Sequence, residues 1–262
     1  MDHEAEAMRA HHQTIQQQFD PQAEAYLASP VHASGQDLDW VQAWLREADR
    51  TGHNALDVGC GAGHLSFALA QAFAHVQLAD PSPRMIETAL HEAQRRSLTN
   101  VRGELAQAEQ LPFGDRSFDL VATRFSAHHW RDLPAALREL RRVVKPDGRV
   151  LVIDLLGDES PLIDTHLQTL ELLRDPSHVR DYTGSAWRTL LDESNFAVTQ
   201  TQTWPLRLEF ASWTARMRTA PLAIDALQWL LAQAPREVHD GLAIEADGSF
   251  TPRVGLFLAS AR

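Results

Sequence analysis

The chain has 262 residues, 44% of them hydrophobic, and a formal net charge of −11. That length supports one large core, or a core with a small cap. The acidic balance repels phosphate backbones and argues against a nucleic-acid partner.

The opening "MDHEAEAMRAHH" lacks the basic-then-apolar pattern of a secretory leader. No apolar run approaches the roughly 20 residues of a membrane span. The single cysteine, Cys60, permits no disulfide within the chain. A cytoplasmic protein without membrane insertion is the expectation. A homodimer is compatible with this composition.

Residues 1–50 read as helical and polar, with breaks at Pro21, Pro30 and Gly35. In "SGQDLDWVQAWLREA", Ser34 and Asp37 are candidate caps, and Leu38, Val41, Trp44 and Leu45 follow at helical spacing. From "NALDVGC" onward, short apolar runs alternate with amphipathic stretches, which predicts βα units and a parallel sheet. The expected strands are 55–58, 75–80, 100–105, 118–125 and 148–156. "HLSFALAQAF", "PRMIETALHEAQRRS" and "LPAALRELRRVV" are the helices between them, and the last should stop at "KPDG". Beyond Gly157, "SPLIDTHLQTLELLR" and "SAWRTLLDESNF" read as helices and "AVTQTQTWPLRLEF" as a strand. "AIEADGSF" is a candidate hairpin turning at Asp247-Gly248, and "RVGLFLAS" the last strand.

"LDVGCGAGH" lies between the first strand and a helix. Gly59, Gly61 and Gly63 let the backbone turn sharply and approach a ligand. The following helix terminus favours a polar or anionic ligand. A dinucleotide fingerprint fails, because its third glycine would be His64. A Walker loop fails because no Gly-Lys-Ser/Thr follows. What remains is acid-x-G-x-G-x-G, led by Asp57; a glycine-rich turn without a ligand is the competing reading. Asp80 ends the second strand about 20 residues later, where a carboxylate accepts ribose hydroxyls. Asp80 could instead cap the next helix. "AQAEQLPFGDRSFDLV" lies past the third strand, where a base would sit.

These segments, with "ADPSPRMIETA", "HHW" and "ALRELRRVVKPDGRVLVID", resemble the class I S-adenosylmethionine-dependent methyltransferases of domain type 11. The broad bacterial group that includes the ubiquinone and menaquinone C-methyltransferases is the nearest likeness, over about residues 54–156. The resemblance implies an α/β fold: a doubly wound, mostly parallel seven-stranded Rossmann-like sheet with an antiparallel last strand. To this it adds a helical N-terminal lid and a helical insert. Residues 1–262 would form a single methyltransferase domain, with 1–50 as lid, 51–157 as cofactor-binding core, and 158–262 as insert and sheet completion.

The implied cofactor is S-adenosylmethionine, leaving as S-adenosylhomocysteine. Gly59, Gly61 and the backbone around Cys60 and Gly63 would face its methionine part. Asp57 would orient the ammonium, and Asp80 would hold the ribose. Pro81, Ser82 and Met85 would line the adenine, and Ala108 would offer its amide, beside Gln107 and Glu109. Gln107 stands where an aspartate is frequent in the family; its amide oxygen still accepts a hydrogen bond. Arg124 would lie at the strand edge near the methionine end. Cys60 has no evident activating base and reads as a small packing residue.

The acceptor side is less legible. Phe19, Tyr26 and His32 are lid candidates, although Phe19 and Tyr26 would also serve simply to dock the lid. "LLRDPSHVRDYTG" offers Arg174, His178 and Arg180 as a clamp for an anion, or as a solvated turn. Trp204, Trp213, Met217 and Trp229 would form either an apolar wall or ordinary core. In "TRFSAHHWRD", His128 and His129 are adjacent, and no cysteine or carboxylate set joins them, so no metal is expected. One histidine would pack or cap the next helix and the other would face the acceptor. His129, His128 and His32 are therefore the catalytic candidates. The leading function is methyl transfer to an O, N or C nucleophile of a small molecule. The Asn/Asp-Pro-Pro-aromatic pattern of nucleic-acid amine methylation is absent. A cofactor-binding regulator that transfers no methyl remains an alternative, since fold alone does not fix function.

Overall fold

The computed structural model describes residues 2–29, 33–47 and 52–262, with side chains from residue 10 onward in the first helix. Three helices come first: α1 (Asp2–Phe19), α2 (Ala23–Ala28) and α3 (Gln36–Arg46). The βα series then runs β1 (Asn54–Val58), α4 (His64–Leu69), β2 (His75–Asp80), α5 (Pro83–Arg95), β3 (Val101–Leu105), β4 (Phe118–Arg124), α6 (Leu133–Val143) and β5 (Val144–Leu156). The remainder is α7 (Pro161–Arg174), α8 (Gly184–Glu193), β6 (Phe196–Pro205), α9 (Phe210–Arg216), α10 (Pro221–Ala232), α11 (Arg236–Gly241) and β7 (Arg253–Ala261).

The seven strands form one sheet in the order β3-β2-β1-β4-β5-β7-β6. β1 to β5 pair in parallel, and β7 runs antiparallel to both β5 and β6. The expected doubly wound sheet with an antiparallel last strand is therefore present. Helices cover both faces, so central strands such as β1 and β4 are buried almost throughout rather than on alternate residues. One face packs Val41, Trp44, Leu65, Leu69 and Ile86 from α3, α4 and α5. The other packs Leu133, Leu137, Leu140, Trp187 and Leu191 from α6 and α8. Helices α7, α9, α10 and α11 build a separate core around Leu167, Trp213, Leu227 and Phe250. That core is the insert. Among the described residues no helix is long and apolar enough to cross a membrane.

Local chemistry sets the helix starts. Ser82 caps α5 by accepting from the Met85 amide at 3.0 Å, and Asp132 caps α6 through Ala135 at 2.9 Å. Several expectations need correction. Asp80 is not the cap of α5. Neither Ser34 nor Asp37 caps α3, whose N-cap is Gly35 without a side-chain bond. Asp37 is instead buried and ion-paired to Arg124. The helix before "KPDG" does end there, at Val143; Val144 already pairs Phe118, and the ladder resumes at Leu120–Arg149 after a register shift. β6 stops at Pro205, where a backbone donor is missing, and α9 follows. Asp247-Gly248 does turn, with the Gly248 amide bonded to the Glu245 carbonyl. Its flanks are α11 and a single Leu208–Phe250 bridge rather than hairpin strands.

The Asp37–Arg124 pair ties α3 to the carboxyl end of β4, with both side chains at most 5% exposed. Removing one partner leaves the other charge buried. Asp37→Ala should cost about 3–5 kcal/mol of stability, measured by urea denaturation. A loss below about 1 kcal/mol, the scale of an exposed pair, would show that the pair does not anchor the helix.

Candidate functional site

The strand order reverses between β1 and β4, and a crevice opens there at the carboxyl edge. It holds a cleft of about 920 Å³, counted with the open space at its mouth. Its floor is the glycine loop. Gly59, Gly61 and Gly63 all adopt positive φ, at 67°, 52° and 91°. A Cβ at Gly59 would lie 1.7 Å from Ser126 Oγ, whereas one at Gly61 would meet nothing within 4 Å. The loop thus needs glycine at 59 for packing as well as backbone shape, and Gly61 faces open space. Gly63 sits behind, as the left-handed N-cap of α4 against Phe67.

The loop amides are already engaged. Gly59 and Cys60 donate to the Ala79 carbonyl at 2.7 and 3.1 Å, and Gly61 donates to Asp80 Oδ2 at 2.9 Å. Asp80 Oδ1 accepts from the Ser82 amide at 2.9 Å. A carboxylate offers about four acceptor positions, so Asp80 keeps capacity on the side that lines the cavity. Burial is the main reason its pKa rises to about 6. Asp57 is equally buried, and burial lifts its pKa to about 7 against the Ser66 hydroxyl bond at 2.6 Å. Asp57 Oδ1 has no partner. An orphaned acidic oxygen on the cavity wall fits an ammonium group.

Pro81, Met85, Gln107, Ala108 and Glu109 line the far end of this cavity. Ser82 does not: it is fully buried, capping α5 and donating to Asp20. Gly63 likewise lies off the wall. Arg124 and Phe125 line the near end, with the guanidinium 4.7 Å above the Phe125 ring. Cys60 is buried, and burial pushes its thiol up, which suits packing rather than nucleophilic attack.

The N-terminal helices close the crevice. His12, Ile15, Phe19 and Tyr26 line it from above. Gln16 donates to the Pro81 carbonyl at 2.7 Å, and His11 Nε2 donates to the His129 carbonyl at 2.9 Å. The expected lid is present, but it also presents His12, near Glu109, which the sequence did not single out. His32 lies outside the described residues.

A second cavity of about 490 Å³ shares Phe19, Tyr26, Phe125 and His129 with the first. Its other polar wall is His128, Glu171, Arg174 and Arg216. Trp213 supplies an apolar face, whereas Trp229 is 67% exposed and Trp204 packs on the sheet core. Met217 is buried and accepts from the Tyr26 hydroxyl at 3.0 Å. Two expected clamp residues are elsewhere. Arg180 pairs with Asp164 on the surface, and His178 is buried, bonded to Gln168. Neither lines a cavity.

The adjacent histidines differ sharply. His128 Nδ1 lies 2.6 Å from Asp154 Oδ1, and its backbone amide donates to Asp154 Oδ2. Burial works to lower its pKa, but the Asp154 charge and hydrogen bond override this and raise it to about 9. His129 is held below its ordinary value, first by burial and then by the His128 charge. The Ser177 hydroxyl donates to Asp175 at 2.6 Å, so both Ser177 oxygens near His129 Nδ1 are acceptors. His129 therefore carries its proton on Nδ1 and keeps a lone pair on Nε2. Asp175 lies 4.0 Å from that nitrogen, beyond hydrogen-bond reach. Among the described residues no cluster fit for a metal occurs. Asp154, Glu171 and Arg216 escaped sequence reasoning. Only Asp154 had a signal, as a carboxylate near the carboxyl end of a switch-side strand.

The methyltransferase domain model matches residues 56–152. YafE of Escherichia coli, a protein described as uncharacterised, is 43% identical over 193 residues, covering 74% of this chain and 93% of YafE. The chain belongs to the class I S-adenosylmethionine-dependent methyltransferases. The uncharacterised methyltransferase YcgJ of Bacillus subtilis is 38% identical over 76% of this methyltransferase and 78% of YcgJ. Its crystal structure superposes with a TM-score of 0.80 over 85% of this chain and 97% of that one, at 33% identity. A ubiquinone/menaquinone C-methyltransferase of Brucella abortus is 30% identical over 66% of this chain and 64% of its own length. The chain is thus an S-adenosylmethionine-dependent methyltransferase.

For this methyltransferase, Asp80→Ala should weaken S-adenosylhomocysteine binding by about 2–4 kcal/mol, the value of two bonds to a charged acceptor, read by calorimetry. Because the raised Asp80 pKa favours its neutral form as pH falls, wild-type affinity should decline below pH 6. Flat affinity from pH 5 to 8 would remove Asp80 from ribose binding.

Proposed function

We propose that the methyl acceptor binds in the second cavity and that His129 takes the proton it releases. The observation that carries this is position: His129 lines both cavities at their junction, which a transferred methyl must cross. S-adenosylmethionine supplies an electrophilic methyl on its sulfonium.

The chain's own residues do the rest. Asp57, Asp80 and the Gly59–Gly63 loop hold the cofactor, with Pro81, Met85, Gln107, Ala108 and Glu109 around its base. Phe19 and Tyr26 close over the junction, and the Phe19 ring meets His129 edge-on at 5.0 Å. Excluding water there strengthens every charge interaction and aligns the acceptor. His129 stays neutral at neutral pH, so its Nε2 can accept a proton. A weak base suffices, because the acceptor hydroxyl or enol becomes strongly acidic as the methyl arrives. His128 remains the charged partner, oriented by Asp154, and keeps His129 neutral. His32 stays a proposed lid contact without a geometric argument.

Within the family, the shared sequence supports a place near the ubiquinone/menaquinone C-methyltransferase-like group. The acidic surface and absence of an amine-methylation pattern support a cytoplasmic enzyme that does not act on nucleic acid.

His129→Ala should lower turnover about 10²–10⁴-fold, the usual worth of a positioned base, with cofactor affinity unchanged. The assay is transfer from methyl-labelled cofactor into a small-molecule extract of the source cells. Undiminished transfer would exclude His129. The pH profile should be bell-shaped. The acid limb falls near pH 4 as His129 takes a proton, and the alkaline limb falls near 9 as His128 loses its own. The His128 charge also stabilises the fold below its ordinary value of 6.5, and that stability is lost as pH rises through about 9. Thermal denaturation at each pH separates the two effects.

A further inference from the structure

The second cavity has a charge imbalance that methyl transfer does not explain. Arg174 comes from the end of α7 and Arg216 from the end of α9. Both guanidinium groups interact with the Tyr26 hydroxyl. Arg174 is nearly buried, with its side chain 9% exposed; it donates to the Trp213 carbonyl at 3.0 Å and lies 5.0 Å over the Trp213 ring. Arg216 Nε is buried without a hydrogen-bond partner. A buried cationic donor left unpaired is costly. Burial, and then the neighbouring Arg174, destabilise its charge.

Among the described residues that line this wall, Glu171 is the one carboxylate beside the two arginines. Glu171 lies 3.4 Å from Arg174, and its second oxygen, Oε1, has no partner. His128 and Asp154 cancel one another. The lining side chains, taken with Asp154, therefore carry one surplus positive charge, while Asp175 lies buried behind them beside His129 rather than on the wall. The rest of the cavity is apolar, from Phe125, Leu155, Leu206, Leu208 and Trp213. One surplus charge matches a carboxylate monoanion better than a phosphate dianion, and a planar carboxylate also suits guanidinium donors.

We propose that the methyl acceptor is an amphipathic monocarboxylate, its carboxylate held between Arg174 and Arg216, its apolar body on Trp213, and its nucleophile at His129. This deepens the reading of the second cavity as the acceptor site and rests on it. The carboxylate is an anchor, and the methyl goes to a different atom.

The probe is benzoate against benzamide, which have the same shape and differ in charge, titrated calorimetrically into the full chain saturated with S-adenosylhomocysteine. Benzoate should bind and benzamide should not. Arg216→Gln should weaken benzoate about tenfold or more, the worth of one hydrogen bond to a charged group. Glu171→Gln should tighten it, because a competing negative charge is gone. The opposite signs keep the test meaningful if one variant folds poorly. Equal binding of the two probes, no benzoate binding, or benzoate affinity indifferent to both variants would overturn the anion site. Tighter binding of phenyl phosphate than benzoate would overturn the monocarboxylate assignment. A second arm separates this inference from its foundation. When the extract is split on an anion exchanger, the fraction that accepts labelled methyl should be the retained one. Label in the neutral fraction alone defeats the anionic acceptor and leaves methyl transfer standing. No label in any fraction defeats the methyl-transfer reading itself.

Discussion

The cavity depends on one buried carboxylate. Asp80 joins the end of β2 to the Gly61 amide and to the Ser82 amide. Those bonds hold the glycine loop in its left-handed conformation and place the start of α5. Burying a carboxylate is costly, and two amide donors offset only part of the cost, so its pKa stays above the ordinary range. Further donors from a ligand would complete the shell. If the cofactor binds at Asp80 as proposed, its binding and the order of the loop are coupled through the same two oxygens. Asp57 follows the same logic one strand away, with one oxygen bonded to Ser66 and the other buried without a partner.

The lid is attached differently. Apart from α3, which packs on the sheet, its apolar contact is small, with Ala23 packed on Ala62 and Met85 and flanked by Phe19, Tyr26 and Leu27. Most of its anchoring is polar: Gln16 to the Pro81 carbonyl, Ser82 to Asp20, His11 to the His129 carbonyl, and His64 to the Tyr26 carbonyl. Each such bond contributes about 0.5–1.5 kcal/mol net, and water can replace all of them when the lid lifts. A segment held this way opens at a cost well below global unfolding. That suits an enzyme whose cofactor and product must pass through the region the lid covers.

The sheet was legible because periodicity is local. β2 begins and ends where its apolar run does, and the glycine spacing located the loop. The cavity wall was legible because it rides on strand ends, whose order follows from the βα pattern. Errors arose where tertiary contacts override local signals. Ser82 looked like a lining residue, but its hydroxyl is spent on a helix cap. Arg180 looked like a clamp, but Asp164, sixteen residues back on α7, holds it at the surface. Arg216 could not be found at all. It reaches the cavity only because α9 follows β6 directly, and the strand pattern continued past the break at Pro205.

The histidine pair illustrates a constraint no spacing rule contains. The rings of His128 and His129 lie 4.2 Å apart, centroid to centroid, too close for both to be charged in a buried site. Their surroundings decide which one is. His128 has a carboxylate on Nδ1, whereas His129 has a carbonyl and a hydroxyl oxygen whose own hydrogen is committed elsewhere. The first arrangement stabilises an imidazolium and the second a neutral tautomer. Asp154 lies on β5 and Ser177 lies after α7, so the core and the insert each fix one ring. The proposed base is therefore set by the seam between core and insert, and repacking the insert for another acceptor would leave the Asp154–His128 contact in place while changing what His129 can reach.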